Sequence, residues 1–297
     1  MYERTTGTMT MNTPESKITA QAIAAFADTP NPRLRQVVQG LVRHLHAFAS
    51  EVELTEAEWF EGIRFLTETG QKCDGLVRQE FILLSDVIGL SMLVDAINHR
   101  CTENATESTV FGPFYIAGMP EREYGENMAF SPGVPALVTG RVLDTEGRPI
   151  AGATLDVWQT ADNGMYSGQD TTQPHGNLRG RYRTDEAGRY AIRTIVPVSY
   201  PIPTDGPVGR LLDATGRHPW RPAHLHFMVE AEGQRTLVTH LFNHDDPFLK
   251  SDAVFGVKES LQVVYEQCAV DHPLAGEFDF TEEFRLARYD FVLERGR

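Results

Sequence analysis

The feature that most constrains the fold is a change of sequence pattern near residue 108. Before it, apolar residues such as Leu34, Val38 and Leu41 recur every three to four positions, which is the spacing of an amphipathic helix. After it, short runs of β-branched and aromatic residues alternate with turns rich in glycine and proline. The pattern predicts an α+β protein, with a helical N-terminal domain over residues 1–108 and an antiparallel β-sandwich over residues 109–297.

Three helices are expected between residues 30 and 100. Asn31, followed by a proline, marks the start of the first. A capping box of Thr55 and Glu58 opens the second, and Gly70 ends it. The third is expected to run from about residue 76 to about residue 99.

Five runs in the second part are predicted to form strands, and turn signals at 144–147 and 185–188 separate some of them. These runs cover residues 136–143, 153–159, 190–195, 223–230 and 236–242. Many short strands with such turns favour a sandwich over a sheet covered by helices.

Composition excludes several classes of protein. The formal net charge is −14, whereas a nucleic-acid-binding protein needs many cationic phosphate contacts, so no nucleic-acid partner is expected. The most apolar stretch, 81–97, contains Asp86 and Asp95, which argues against a membrane span. Residues 1–15 lack the apolar core of a signal peptide, and three widely spaced cysteines form no disulfide framework. We therefore expect a cytoplasmic protein.

The sharpest chemical signal is the pair His224 and His226. Alternate residues of a strand face the same side, so both imidazoles would point one way and could bind a metal ion. Glu230 is one candidate for a further ligand, because His-x-His-x3-Glu resembles the first metal motif of the cupins; a solvated strand end is the alternative. Tyr166 and Tyr200 are the other candidates, and their phenolate oxygens would favour Fe(III) over Fe(II).

Several segments between about residue 30 and about residue 270 resemble the intradiol ring-cleavage dioxygenases. In the helical part they are TGQKC at 69–73 and RQEFILLSD at 78–86; in the β part they are TVFGPFY at 109–115, DVWQ at 156–159, GMYS at 164–167, YAIRTIVP at 190–197 and RPAHLH at 221–226. Two further segments, TLVTHLF at 236–242 and SDAVFGVK at 251–258, are most similar to the branch of hydroxyquinol 1,2-dioxygenases.

The resemblance implies a fold, a cofactor and a set of site residues. One Fe(III) per subunit would be held by Tyr166, Tyr200, His224 and His226, with Tyr200 and Arg221 as catalytic residues. The implied substrate pocket consists of Leu83, Asp86, Val110, Phe111, Gly112, Pro113, Phe114, Ile202, Pro203, Arg221, His240 and Val254. The N-terminal helices would join a homodimer, with a phospholipid at the interface.

The implied reaction is cleavage of an aromatic diol by O2 between its two hydroxyl groups. A carboxylate at Asp86, three residues from Leu83 on one helix face, would accept a hydrogen bond from a third ring hydroxyl. This favours hydroxyquinol (benzene-1,2,4-triol), which would give 3-hydroxy-cis,cis-muconate, the enol of maleylacetate. Catechol or a chlorocatechol is the alternative substrate.

Two other functions remain open from the residues alone. One is a cupin-like metalloenzyme that uses Glu230 with the two histidines. The other is a non-enzymatic spacer, because residues 140–156 and 182–190 are similar to prealbumin-like sandwich modules, whose pattern specifies strands and turns but no site.

Overall fold

The computed structural model of the chain describes residues 13–74, 78–102 and 104–296. It divides into two compact units, Met1–Thr67 and Glu68–Arg297. The division of the chain into functional domains at residues 108 and 109 stays a prediction.

Five helices precede the β part of the chain. They are α1 (Pro14–Ala24), α2 (Pro32–Glu51), α3 (Glu56–Lys72), α4 (Glu80–Val87) and α5 (Leu90–Asn98). The predicted caps are confirmed: Asn31 Oδ1 accepts hydrogen bonds from the backbone N–H groups of Arg33 and Leu34 at 2.9 and 3.0 Å, and three hydrogen bonds join Thr55 and Glu58. Helix α3 continues two residues beyond Gly70, its predicted end.

The prediction of one continuous helix from about residue 76 to about 99 is wrong. The chain breaks between α4 and α5 at Gly89, whose φ of +76° lies in the left-handed region. A Cβ added there would lie 3.3 Å from the Phe255 ring, so the break brings the backbone close to another segment. The predicted first residues, 76 and 77, lie outside the described residues.

The β part contains twelve strands among the described residues, with two short α-helices and one 3₁₀ helix (Glu259–Leu261) between them. The strands are β1 (Pro135–Asp144), β2 (Thr154–Trp158), β3 (Arg179–Arg183), β4 (Arg189–Ile195), β5 (Tyr200–Pro201), β6 (Trp220–Arg221), β7 (His224–Glu230), β8 (Leu237–Asn243), β9 (Gln262–Val263), β10 (Glu266–Cys268), β11 (Phe284–Arg288) and β12 (Phe291–Leu293); the helices are α6 (Pro207–Ala214) and α7 (Pro273–Glu277). All five predicted strands are present with small shifts of their ends. The predicted α+β class is confirmed.

The strands form two main sheets and one small pair. One sheet has the order β10-β11-β1-β12, with β4 also paired to β1; the other has the order β3-β2-β7-β8-β9. Strands β5 and β6 pair with each other. Most of these strand pairs are antiparallel, as predicted. The parallel pairs among the described residues are those of β1 with β11 and β12 and of β8 with β9.

The core lies between the two main sheets. Val138 and Val142 of β1 pack in one buried cluster with Leu225 and Phe227 of β7. Because Leu225 and Phe227 point into this core, the alternate residues of β7 point away from it. The fold therefore places His224 and His226 together on the outer side of a central strand.

Within the described part of the chain, no helix is long and apolar enough to cross a membrane.

Candidate active site

The two histidines of β7 lie side by side, as the strand period predicts. Their Nε2 atoms are 3.2 Å apart, and both side chains are buried. Strand β7 is held on both edges, by β2 and by β8, so the backbone that carries the pair is fixed by two hydrogen-bond ladders.

Two tyrosines from separate loops converge on this pair. Tyr166 lies in the turn after β2, and Tyr200 begins β5. Oη of Tyr166 is 2.8 Å from Nε2 of His226 and 3.1 Å from Oη of Tyr200. The loops approach closely at Gly164, where an added Cβ would lie 3.1 Å from Cβ of Tyr200. The structure thus brings all four predicted metal ligands together.

Burial sets the charge of these groups in the metal-free protein. It lowers the pKa of His224 and His226 well below the usual value near 6.5, so both imidazoles are neutral and can act as ligands. Burial also raises the pKa of Tyr166 well above 10, and neighbouring Tyr200 adds to the shift. A phenolate at Tyr166 therefore needs a strongly Lewis-acidic cation beside it.

The donor set fits a ferric ion. Two phenol oxygens and two imidazole nitrogens form a chain of short contacts, from Tyr200 through Tyr166 and His226 to His224. A hard trivalent cation matches phenolate oxygen. Glu230, the cupin-type candidate, is half-buried at the end of β7 and pairs with Thr154 of β2. It does not belong to the cluster of possible metal ligands found among the described residues.

His240 lies closer to the histidine pair than the sequence suggests. It pairs with His226 across β7 and β8, and the two ring centroids are 4.1 Å apart. With His224 it completes a group of three imidazoles whose ligand atoms lie within 4.8 Å of one another. His240 was predicted in the substrate pocket; it is fully buried and does not line the cavity described below.

Arg221 connects the histidine pair to the cavity described next. Its side chain is buried, with Nε 3.2 Å from Oδ1 of Asp252 and Nη1 3.2 Å from Nε2 of His224. Nη2 has no hydrogen-bond partner among the described residues. A buried guanidinium donor without a partner is poised to bind an oxygen atom of a ligand.

A cavity of about 210 Å³ opens beside Tyr200 and Arg221. Most of the predicted substrate-binding residues line it: Leu83, Asp86, Val110, Gly112, Pro113, Phe114, Ile202, Pro203, Arg221 and Val254. Phe111 does not, because its ring packs near Tyr115 and Trp158. The walls are largely apolar and the volume suits a small ligand rather than a drug-sized one.

Polar groups at the cavity that the sequence analysis did not select are Asp74, Arg78, Gln79 and Gln169. Asp86, which was predicted, is 8% exposed, and burial raises the pKa of its carboxyl above the usual value near 3.8. Because Asp86 lies in an apolar wall, it is the polar group best placed to form a hydrogen bond with a substituent of an aromatic ring.

Asp246 is a further residue near the site that the sequence did not predict. Its Oδ2 accepts hydrogen bonds from the backbone N–H of Ala223 and from the hydroxyl of Ser199. Each of these residues directly precedes a predicted ligand, His224 or Tyr200. Asp246 therefore ties together the two segments that carry these ligands, a role with no local sequence signature.

A β-domain with a buried nitrogen and oxygen donor set beside an apolar cavity is typical of enzymes with a mononuclear metal centre. A family model described as "Catechol dioxygenase N terminus" matches residues 31–106, and one described as "Dioxygenase" matches residues 110–295. The chain belongs to the intradiol dioxygenases, a family that uses iron, and it is an enzyme of this type.

Similar proteins span nearly the full chain. The hydroxyquinol 1,2-dioxygenase of Rhizobium sp. (strain MTP-10005) is 51% identical over 284 residues, which cover 95% of this chain and 96% of that protein. The 6-chlorohydroxyquinol 1,2-dioxygenase of Cupriavidus pinatubonensis is 55% identical over 248 residues, or 83% and 90% of the two chains. The crystal structure of hydroxyquinol 1,2-dioxygenase from Pseudomonas putida DLL-E4 matches with a TM-score of 0.92 at 69% identity, covering 95% of this chain and 99% of that one. These similarities exclude the cupin-like and spacer alternatives.

Proposed function

We propose that the protein is a ferric intradiol dioxygenase that cleaves hydroxyquinol with O2 between its vicinal hydroxyl groups. The observation that carries the proposal is the convergence of Tyr166, Tyr200, His224 and His226 beside an apolar cavity with Asp86 in its wall. The names of the relatives at 51% and 69% identity support the same substrate.

The four convergent side chains would hold one Fe(III) per subunit. A ferric ion there would supply the Lewis acidity and redox coupling that let a singlet aromatic diol react with triplet dioxygen. For the ion to bind, the N–H of Arg221 that points at Nε2 of His224 must turn away, because one lone pair cannot serve both partners. That change would free a second Arg221 donor for a substrate oxygen.

The protein groups then have separate tasks. Tyr200, which borders the cavity, would be a phenolate when the ion is bound, and its Oη would take one proton from a substrate hydroxyl to become a neutral phenol. The Arg221 guanidinium would donate a hydrogen bond to the substrate oxygen on which negative charge develops. Phe114 and Val254 enclose the ring and exclude water. Both oxygen atoms of O2 enter the product, 3-hydroxy-cis,cis-muconate, which is the enol form of maleylacetate.

Asp86 supports hydroxyquinol rather than catechol or a chlorocatechol. Its carboxylate would accept a hydrogen bond from the third hydroxyl of the triol, and catechol has no group to make this bond. Burial of this carboxylate costs free energy that its hydrogen bond with Ser91 offsets only in part, so the same residue disfavours the unsubstituted diol.

Two measurements test the function. Protein loaded with iron should be red-brown, because phenolate-to-Fe(III) charge transfer absorbs visible light, and should bind one iron per chain. In an oxygen electrode it should consume O2 faster with hydroxyquinol than with catechol, chlorocatechols or protocatechuate. Colourless iron-loaded protein would refute the tyrosine ligands, and faster turnover of catechol would refute the substrate assignment.

A homodimer through the N-terminal helices is part of the proposal. Helix α2 carries a stripe of apolar side chains, each about half exposed: Leu34, Val37, Leu41, Leu45 and Phe48. A stripe of this size is typical of an interaction surface, and a phospholipid chain could cover part of it. Light scattering should give twice the chain mass, and L41E/L45E should give a monomer; organic extraction followed by mass spectrometry tests for the lipid.

A further inference from the structure

The two histidines of β7 are held by different means. Nδ1 of His224 lies 2.7 Å from the carbonyl oxygen of Pro222, so a hydrogen bond fixes the ring and makes Nε2 the nitrogen with the lone pair for a metal. Nδ1 of His226 is buried and has no hydrogen-bond partner among the described residues. Metal-binding histidines almost always have such a partner, so some other contact must orient the His226 ring.

Trp158 supplies the first contact. It pairs with His226 across β2 and β7, and its indole ring stacks on the imidazole with centroids 4.7 Å apart and planes inclined by 14°. Trp158 is fully buried, so the stack is enclosed by protein. Aromatic stacking of this geometry stabilises one ring plane.

Gly112 supplies the second contact. Its φ is +74°, and a Cβ added to it would lie 3.0 Å from Cε1 of His226. Any larger residue would therefore push against the edge of the imidazole ring. The absence of a side chain at Gly112 lets the backbone close over His226.

The segment that carries Gly112 is anchored to β2. Oη of Tyr115 donates to Oδ2 of Asp156 at 2.9 Å, and Arg181 binds the same carboxylate through two hydrogen bonds of 2.6 and 2.7 Å. The Tyr115 ring also packs edge-on against Trp158, at 5.2 Å between centroids. Asp156 and Trp158 lie on one face of β2, so a single strand holds both the segment and the stacking ring.

We propose that Trp158 and Gly112 are positioning residues that fix the metal-binding orientation of His226 by contact, in place of a hydrogen bond. The proposal rests on the proposed function, because it takes His226 as a ligand. It also means that the segment lining the cavity at Gly112 and Phe114 sets the geometry of one metal ligand.

The test measures binding of Co²⁺ to metal-free protein by absorption titration and iron content after reconstitution. Gly112→Ala is compared with Gly118→Ala, because Gly118 has the same left-handed backbone, φ +75°, but nothing within 4 Å of an added Cβ. Gly112→Ala should weaken Co²⁺ binding about 10- to 100-fold, the usual cost of losing an outer support of a ligand. Gly118→Ala should stay within about twofold of the wild type.

A second pair of variants tests the stack. Trp158→Leu should weaken binding to a similar extent, while Trp158→Phe, which keeps an aromatic face, should recover most of it. Phe284→Leu is the control for loss of a buried aromatic ring, because Phe284 lies in a separate core cluster. In metal-free protein labelled with ¹⁵N-histidine, Trp158→Leu should shift the His226 signals and leave those of His224 unchanged.

The outcomes separate the two proposals. If the wild-type protein binds neither iron nor Co²⁺, the proposed function fails. If the wild type binds but Gly112→Ala matches Gly118→Ala, or Trp158→Leu matches Phe284→Leu, the positioning proposal is overturned and the proposed function stands. Should Trp158→Leu not fold, the glycine pair alone decides.

Discussion

Replacing Asp86 by alanine should shift the substrate preference from hydroxyquinol towards catechol. A charge-assisted hydrogen bond from the third hydroxyl of hydroxyquinol to this buried carboxylate is worth about 1.5–3 kcal/mol. At 1.4 kcal/mol per factor of ten, its loss should lower kcat/KM for hydroxyquinol by roughly 10- to 150-fold. Catechol makes no such bond, and the variant removes a buried carboxylate from the wall of its binding cavity, so kcat/KM for catechol should stay constant or rise.

The assay is oxygen uptake with each substrate at several concentrations, on protein with equal iron content. Leu83→Ala serves as the control, because Leu83 lines the same cavity but has no polar group. Its loss should lower kcat/KM for hydroxyquinol and for catechol by a similar factor. If Asp86→Ala lowers kcat/KM for both substrates by the same factor, Asp86 is a structural residue and the reasoning is refuted.

Three further predictions concern the same site. Tyr166→Phe should remove one phenolate and reduce the visible absorption per bound iron; an unchanged spectrum would exclude Tyr166 as a ligand. Arg221→Lys keeps a cation beside Asp252 but loses the unpartnered Nη2 donor. Its kcat should therefore fall about 10²–10³-fold at normal iron content. A kcat equal to that of the wild type would show that Arg221 serves only in the ion pair with Asp252. Because burial raises the pKa of Asp86, this carboxylate should lose its negative charge at a higher pH than an exposed aspartate does. The ratio of kcat/KM for hydroxyquinol to kcat/KM for catechol should therefore fall as the pH is lowered. The same pH dependence in Asp86→Asn would contradict this.

Local patterns were enough to predict the elements that carry the site. The alternation of His224 and His226 predicts that both rings share one face of a strand, and their Nε2 atoms are 3.2 Å apart. The capping residues Asn31 and Thr55 predict helix starts, because an N-cap acts within its own first turn. The prediction that Tyr166 and Tyr200 are metal ligands needed the family resemblance, since nothing in the residues around either tyrosine shows that the two loops meet.

What the sequence did not predict depends on contacts between distant segments. Strand β12 pairs with β1 although about 150 residues separate Val142 from Phe291, and this parallel pairing has no local signal. The break at Gly89 was missed because an isolated glycine is compatible with a helix unless a neighbour, here Phe255, occupies the space beside it. Trp158 and Asp246 read as ordinary core and loop residues until the structure shows which ligand segments they touch.

The most direct test of the proposed function is a single turnover of hydroxyquinol under ¹⁸O2 with mass analysis of the product. Cleavage between the vicinal hydroxyl groups with insertion of both oxygen atoms predicts 3-hydroxy-cis,cis-muconate carrying two ¹⁸O atoms, one in each new carboxyl group. A product cleaved outside the two hydroxyl groups, or one that takes a single labelled atom, would contradict the assignment.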